Sequence, residues 1–97
     1  MIKLTNVNNF KKGDKIFVRD KTTMWDSNKD EYYNYCFEYV IEVKRNNPKT
    51  FGCIYISGPH KGSGFNWHKG HNLAQDDKKE YYLMESDEEI IDNHYRI

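Results

Sequence analysis

From Tyr33 to Val43 the chain alternates without a break. Tyr33, Tyr35, Phe37, Tyr39, Ile41 and Val43 are apolar or aromatic, and Asn34, Cys36, Glu38, Val40 and Glu42 lie between them. A period of two puts the first set on one face of a strand, whereas a helix would scatter it around its circumference. The segment therefore predicts a long strand at the centre of a small sheet, bent enough to serve two sheets of a barrel. Asn47-Pro48 within Lys44–Lys49 marks a turn, and Phe51–Ser57 returns as the next strand. A hairpin symmetric about Asn47 sets Ile41 opposite Cys53 and Tyr39 opposite Tyr55. Phe51, Cys53 and Tyr55 then share a face with Val43, Ile41 and Tyr39. In that register Cys36 and Cys53 point to opposite faces, which argues against a disulfide.

The remaining pattern is weaker. Ile2–Leu4 reads as a short strand. Leu4, Val7 and Phe10 recur every three residues, as in a turn with one side tucked in. Lys12-Gly13-Asp14 is a turn signal leading into a strand at Lys15–Arg19. The polar run Asp20–Glu31 predicts a long loop whose apolar content is Met24 and Trp25. Ser57–His71 holds four glycines and a proline, which predicts a second loop with room for a short strand around Phe65–His68. Lys79–Glu85 reads as a strand. Ser86-Asp87-Glu88-Glu89 matches a capping box with acidic residues in the first turn. With Ile90, Ile91, His94 and Tyr95 it predicts a short helix over about Asp87–Tyr95, a final strand being the alternative.

The run Phe10-Lys11-Lys12-Gly13-Asp14-Lys15-Ile16-Phe17-Val18 resembles the opening of SH3-like barrels, including the KOW type. There a hydrophobic residue, a basic stretch and a Gly-Asp turn lead into the first barrel strand. The resemblance implies that Asp20–Glu31 is the long first loop of such a barrel. It also implies an RNA role for the KOW branch, although Asp20-Lys21-Thr22 stands where that pattern has a glycine. The expected fold is thus mostly β: a small SH3-like barrel or strongly bent antiparallel sheet with a short C-terminal helix, one domain over residues 1–97.

Composition sharpens this picture. The chain has 97 residues, 37% hydrophobic and 15% aromatic, so a few large rings must supply much of one modest core. Its formal net charge is zero, yet residues 1–42, 43–75 and 76–97 carry 0, +5 and −5. Neutrality argues against a dedicated nucleic-acid binder, while the acid-free middle leaves room for a local basic patch. Otherwise the two charged segments pair with each other or stay solvated. No secretory apolar region opens the chain, and no apolar run approaches membrane-spanning length. A soluble, cytoplasmic protein with free thiols is expected, with no membrane contact. Asn, Lys, Ile and Tyr supply 38 residues, all with AT-rich codons. That bias points to a bacteriophage or a low-GC bacterium, and to host cytoplasm if the protein is phage-encoded.

The chemistry is sparse. His60, His68 and His71 could hold a zinc ion, but they sit in a glycine-rich loop with two lysines and no acid. Gly58–Gly64 lacks the full phosphate-loop pattern. Cys36 and Cys53 lie mid-strand, where buried thiols are inert. No catalytic residue, metal site or cofactor is expected, and the chain reads as a non-enzyme. Two binding readings remain, neither of which fixes the oligomeric state. The first is a protein-binding module, a phage-type accessory protein that modulates or inhibits a host protein through Met24, Trp25, Phe65, Trp67 and His68. In its structural counterpart Trp25 covers an open barrel end and Phe65 and Trp67 plug the core. The second is a nucleic-acid-binding barrel using Lys44, Arg45, Lys49, Lys61 and Lys69 for phosphates, with the neighbouring rings stacking on bases.

Overall fold

The long strand exists and extends in both directions. In the computed structural model, which describes all 97 residues, it is β3, Glu31–Asn46. Six other strands surround it: β1 (Ile2–Leu4), β2 (Lys15–Asp26), β4 (Thr50–Tyr55), β5 (Gly64–His68), β6 (Lys79–Leu83) and β7 (Asn93–Arg96). A 3₁₀ turn at Leu73–Gln75 is capped by the Asn72 side chain, which accepts from the Ala74 amide. All pairings are antiparallel, in the order β1-β6-β2-β3-β4-β5. One edge of β3 is covered by β2. The other is shared: β4 takes Ile41–Asn46 and β7 takes Tyr35–Glu38.

Alternation along β2, β3, β4 and β6 sorts the apolar residues onto two faces. The first gathers Ile16, Val18, Tyr39, Ile41, Val43, Phe51, Cys53, Trp67 and Tyr81, closed at its ends by Val7, Phe10 and Leu73. The sheet curls around this core until Trp67 of β5 meets Tyr81 of β6 at 5.5 Å between ring centroids. No pairing joins β5 to β1, so the curled sheet stays open. The second face is narrower: Phe17, Val40 and Met84, with Ile56, Tyr82 and Ile91 packed on them.

Three expectations are corrected. Asp20–Glu31 is not a long loop. β2 continues to Asp26, pairs residue by residue with β3, and turns over only Ser27–Asp30. Asp26 Oδ1 accepts from the Asn28 and Lys29 amides, and Asp30 adopts a left-handed φ of 53°, which Asp tolerates. The segment looked like a loop because no core lies against it to impose a buried face.

The second correction is the C-terminal helix. The capping pattern is used for a turn instead, in which the Glu88 carboxylate, not that of Glu89, accepts from the Glu85 amide at 2.9 Å. Residues 84–92 then cross the second face, where Met84 and Ile91 cover Phe17 and Val40. The chain ends as β7. A free edge of β3 offers hydrogen bonds that a nine-residue helix could not match alone in water.

The third correction is the β3–β4 register. Ile41 faces Tyr55 and Val43 faces Cys53, two residues from the symmetric pairing: the turn-side pairs Arg45–Gly52 and Asn46–Phe51 are offset by three, and a bulge between Val43 and Arg45 takes one residue back. A shift of two keeps side-chain parity, so the shared face holds and both cysteines are buried free thiols.

Candidate functional site

The β2–β3 hairpin leaves the body of the sheet. β6 follows β2 to Asp20, with one further bond from the Lys21 amide to the Lys78 carbonyl, and β7 follows β3 to Tyr35, with one from the Ile97 amide to the Asn34 carbonyl. Beyond these points two strands project alone. The molecule measures 48 × 28 × 24 Å with a radius of gyration of 14.5 Å, against about 12.5 Å for a compact chain of this length. An isolated two-stranded ribbon is marginal in water, so its cross-strand pairs must hold it. On one face Trp25 opposes Tyr32, with ring centroids 4.8 Å apart in an edge-on arrangement. On the other Met24 opposes Tyr33, whose hydroxyl lies 3.9 Å from the thioether sulfur. The Arg96 guanidinium of β7 stacks 4.5 Å over the Tyr33 ring. These pairs contribute roughly 0.2–1 kcal/mol each, yet they leave much apolar surface in water. Trp25 remains 49% exposed and Tyr32 70%.

The root of the arm is tied by charge. Arg19 Nε donates to Glu38 Oε2 at 3.0 Å, and Glu80 faces both Arg19 and Lys21. The Tyr82 hydroxyl donates to Glu80 Oε2 at 2.6 Å. That bond and the Lys21 ammonium hold the Glu80 carboxyl below its ordinary range. Hydrogen bonding from Arg19 to Glu38 raises the guanidinium pKa further. The Tyr35 hydroxyl meets His94 Nδ1 at 2.5 Å, joining β7 to the arm.

The other residues singled out from the sequence fall elsewhere. Trp67 is a core residue at 8% exposure, packed on Phe10, Phe65 and Tyr81. Phe65 is half-buried against the same core. Both sit on β5, with His68 exposed at its end, where Nδ1 accepts from the Gly70 amide. Met24 and Trp25 are thus far from Phe65, Trp67 and His68 along the sheet order, three strands apart. His60 lies in the β4–β5 connection against Tyr55, at the opposite end of β5 from His68.

The cations separate as well. Lys44, Arg45, Lys49 and Lys69 gather at the β3–β4 turn, where the Lys69 amide bonds the Lys49 carbonyl. Lys69 Nζ lies 4.7 Å from the Phe51 ring centroid and 2.5 Å from Asn46 Oδ1. Lys61 sits at the far end of the sheet, in the β4–β5 connection. Lys44 pairs with Glu42, while Arg45, Lys49, Lys61 and Lys69 make no ion pair. No bridge joins the basic middle segment to the acidic last one: Lys44 pairs with Glu42, and Glu80 and Glu88 pair with groups of the first segment. The rings near this basic end, Phe51 and Trp67, are buried and offer no stacking face.

Sequence reasoning missed Tyr32 and Tyr33. Their signal was present: Met24-Trp25 and Tyr32-Tyr33 are symmetric about the Ser27–Asp30 turn, as cross-strand partners must be. No protein-family model, curated protein or solved structure matches this chain. No helix is long and apolar enough to cross a membrane.

Proposed function

We propose that this chain is a non-enzymatic binding module that engages a partner protein through the tip of its β2–β3 arm. The carrying observation is the exposed Trp25–Tyr32 pair on a ribbon that projects from the core. Ordered, solvent-exposed Trp and Tyr anchors concentrate binding energy at protein interfaces. The arm also presents a second, smaller anchor in Met24 and Tyr33, so a partner cleft could close on both faces. The Asn, Lys, Ile and Tyr content, which suits an AT-rich phage or low-GC bacterial genome, supports reading the module as a small phage-type accessory protein that modulates or inhibits a host protein in the host cytoplasm. Its curled sheet is read as an open relative of the SH3-like barrel. Trp25→Ala with Tyr32→Ala tests the surface, because neither ring supports the core. Capture of the partner should fall at least tenfold, as a loss of about 1.4 kcal/mol or more for the two rings together implies. Undiminished capture would overturn the assignment.

A second reading has its own support in the four cations at the β3–β4 turn. It is a phosphate contact without base stacking, since no exposed ring lies beside them. Binding of that kind falls steeply with salt and is lost in Lys49→Glu with Lys69→Glu, whereas capture by aromatic anchors changes little with salt.

A further inference from the structure

The arm leaves strand edges without neighbours, and the bonds along β2 show which backbone groups face outward. On the β3 side the Val43 amide donates to the Asp14 carbonyl. On the β6 side the Met84 amide donates to the Lys15 carbonyl and the Lys21 amide to the Lys78 carbonyl. The β2–β3 register runs from Lys15 to Asp26 without a shift. Even residues of β2 therefore turn their N–H and C=O toward β3, and odd residues turn theirs away from it. Beyond Lys21 the backbone groups of Thr23 and Trp25 point outward with no strand beside them. The β3 edge of the arm offers less, because the Asn34 carbonyl already accepts the Ile97 amide. Free edges are normally blunted by charge, proline or a bulge. Thr22-Thr23-Met24-Trp25 has none of these.

This edge is complementary to itself. Antiparallel pairing must join outward residues to outward residues. A two-fold axis at Met24 sets Thr23 opposite Trp25 of the second copy, and Trp25 opposite its Thr23. Every outward group of both residues is then bonded, and the Lys21–Lys78 bond is untouched. On one face each Trp25 lies beside a Thr23, an aromatic and β-branched pair that favours strand pairing. On the other face Met24 meets Met24, and Thr22 sets a hydroxyl against the Asp26 carboxylate. No like charges stand opposite each other. The second copy's turn arrives at the arm's root, where a cavity of about 380 Å³ lies beside Lys21, Thr22, Thr23, Asp77 and Lys78. Asp77 and Lys78 form no ion pair, and neither do Lys29 and Asp30 of the turn. The two ends thus carry charges of both signs for each other. A two-stranded ribbon is marginal in water, and further strands are what stabilise it.

We propose that the outer edge of β2 in the arm is a self-association site, at which two copies of this chain pair antiparallel about Met24 and merge their ribbons into one sheet. The contact is short, so the dimer is weak and reversible. It is made by the backbone edge and does not rest on the partner reading of the tip. Sedimentation equilibrium of the full chain from low micromolar to millimolar concentration tests it, together with hydrogen exchange followed residue by residue by NMR. The Thr23 and Trp25 amides should exchange freely in the monomer, unlike the Met24 amide turned toward β3, and become protected as concentration rises. Thr23→Pro removes an outward N–H from each copy and no bond to β3, and an edge strand accepts proline at such a position. It should weaken dimerisation about tenfold or more while leaving the core resonances in place. Trp25→Ala keeps the backbone edge and should weaken dimerisation less. A chain that stays monomeric throughout, a dimer unmoved by Thr23→Pro, or protection that rises at another edge instead would overturn the proposal. Loss of a captured partner protein in Thr23→Pro, with no dimer formed by the unaltered chain, would also overturn it and assign the edge to a strand of that partner.

Discussion

Ser57 is the buried polar side chain that joins three parts of the fold, and its removal has a calculable cost. At Tyr39–Val40 the outer edge of β3 passes from β4 to β7, and neither strand supplies the next acceptor. The Ser57 hydroxyl fills the gap, accepting from the Val40 amide at 2.8 Å and donating to the Ile91 carbonyl at 2.5 Å. The Val40 carbonyl is met in turn by the Ile56 amide at 2.9 Å. Ser57→Ala leaves the Val40 N–H unpaired beneath a residue of zero exposure and frees the crossover at Ile91. An unsatisfied buried amide costs about 1–3 kcal/mol. The Ile91 carbonyl can reach water more easily and adds less, so about 2–4 kcal/mol is expected for the pair. For a domain of this size that lowers Tm by roughly 10–25 °C. Urea denaturation followed by Trp fluorescence measures the loss, and hydrogen exchange should show β7 opening before the β2–β3–β4 centre. Ser57→Thr, which retains the hydroxyl, should lie between. A change below about 0.5 kcal/mol, the range of surface substitutions, would refute the view that this hydroxyl completes the β3 ladder.

Other consequences follow from single residues. Gly58 has φ of 86°, and an added Cβ would sit 2.6 Å from Tyr39 Cβ; Gly58→Ala should therefore destabilise by several kcal/mol, about 1–2 from the left-handed backbone alone, measured by the same denaturation. Burial pushes the Cys53 thiol up to about 11, and Cys36 is 1% exposed. Neither should react with Ellman's reagent at pH 8 until denaturant is added, when both should; rapid native reaction would contradict the packing. The lowered folded-state pKa of Glu80 means its stabilisation is present above its unfolded value and lost as pH falls below about 4. Glu80→Gln should flatten that part of the Tm–pH curve, by a small amount because the pair is solvent-screened.

The sequence exposed the parts of the fold that touch the core. Tyr33–Val43 alternates because Tyr39, Ile41 and Val43 must face Ile16 and Val18, and that constraint is local. Trp67 and Phe65 were legible as rings in a glycine-rich stretch, but whether they plugged the core or faced a partner depended on β5 folding back over Phe10. The arm was hidden for the opposite reason. Thr23, Met24 and Trp25 are exposed although they alternate between the two faces, so no burial imposes a period. β7 was legible only as the alternative to a helix, because its partner edge exists only where β4 ends at Tyr55, opposite Ile41, and leaves Tyr35–Glu38 uncovered. Tyr39, Tyr55 and Tyr81 were visible as strand residues. Their convergence is a property of the curl, which no local pattern encodes.

The central claim concerns the arm tip, and one capture experiment tests it. The intact chain and its Trp25→Ala/Tyr32→Ala variant are immobilised at equal density and exposed to bacterial lysate, with and without nuclease, at low and at roughly 0.5 M salt, where the Debye length falls to about 4 Å. The account predicts a partner protein retained by the intact chain under all four conditions and lost by at least tenfold from the variant. Retention of the same partner by the variant, or its loss on nuclease treatment, would contradict it.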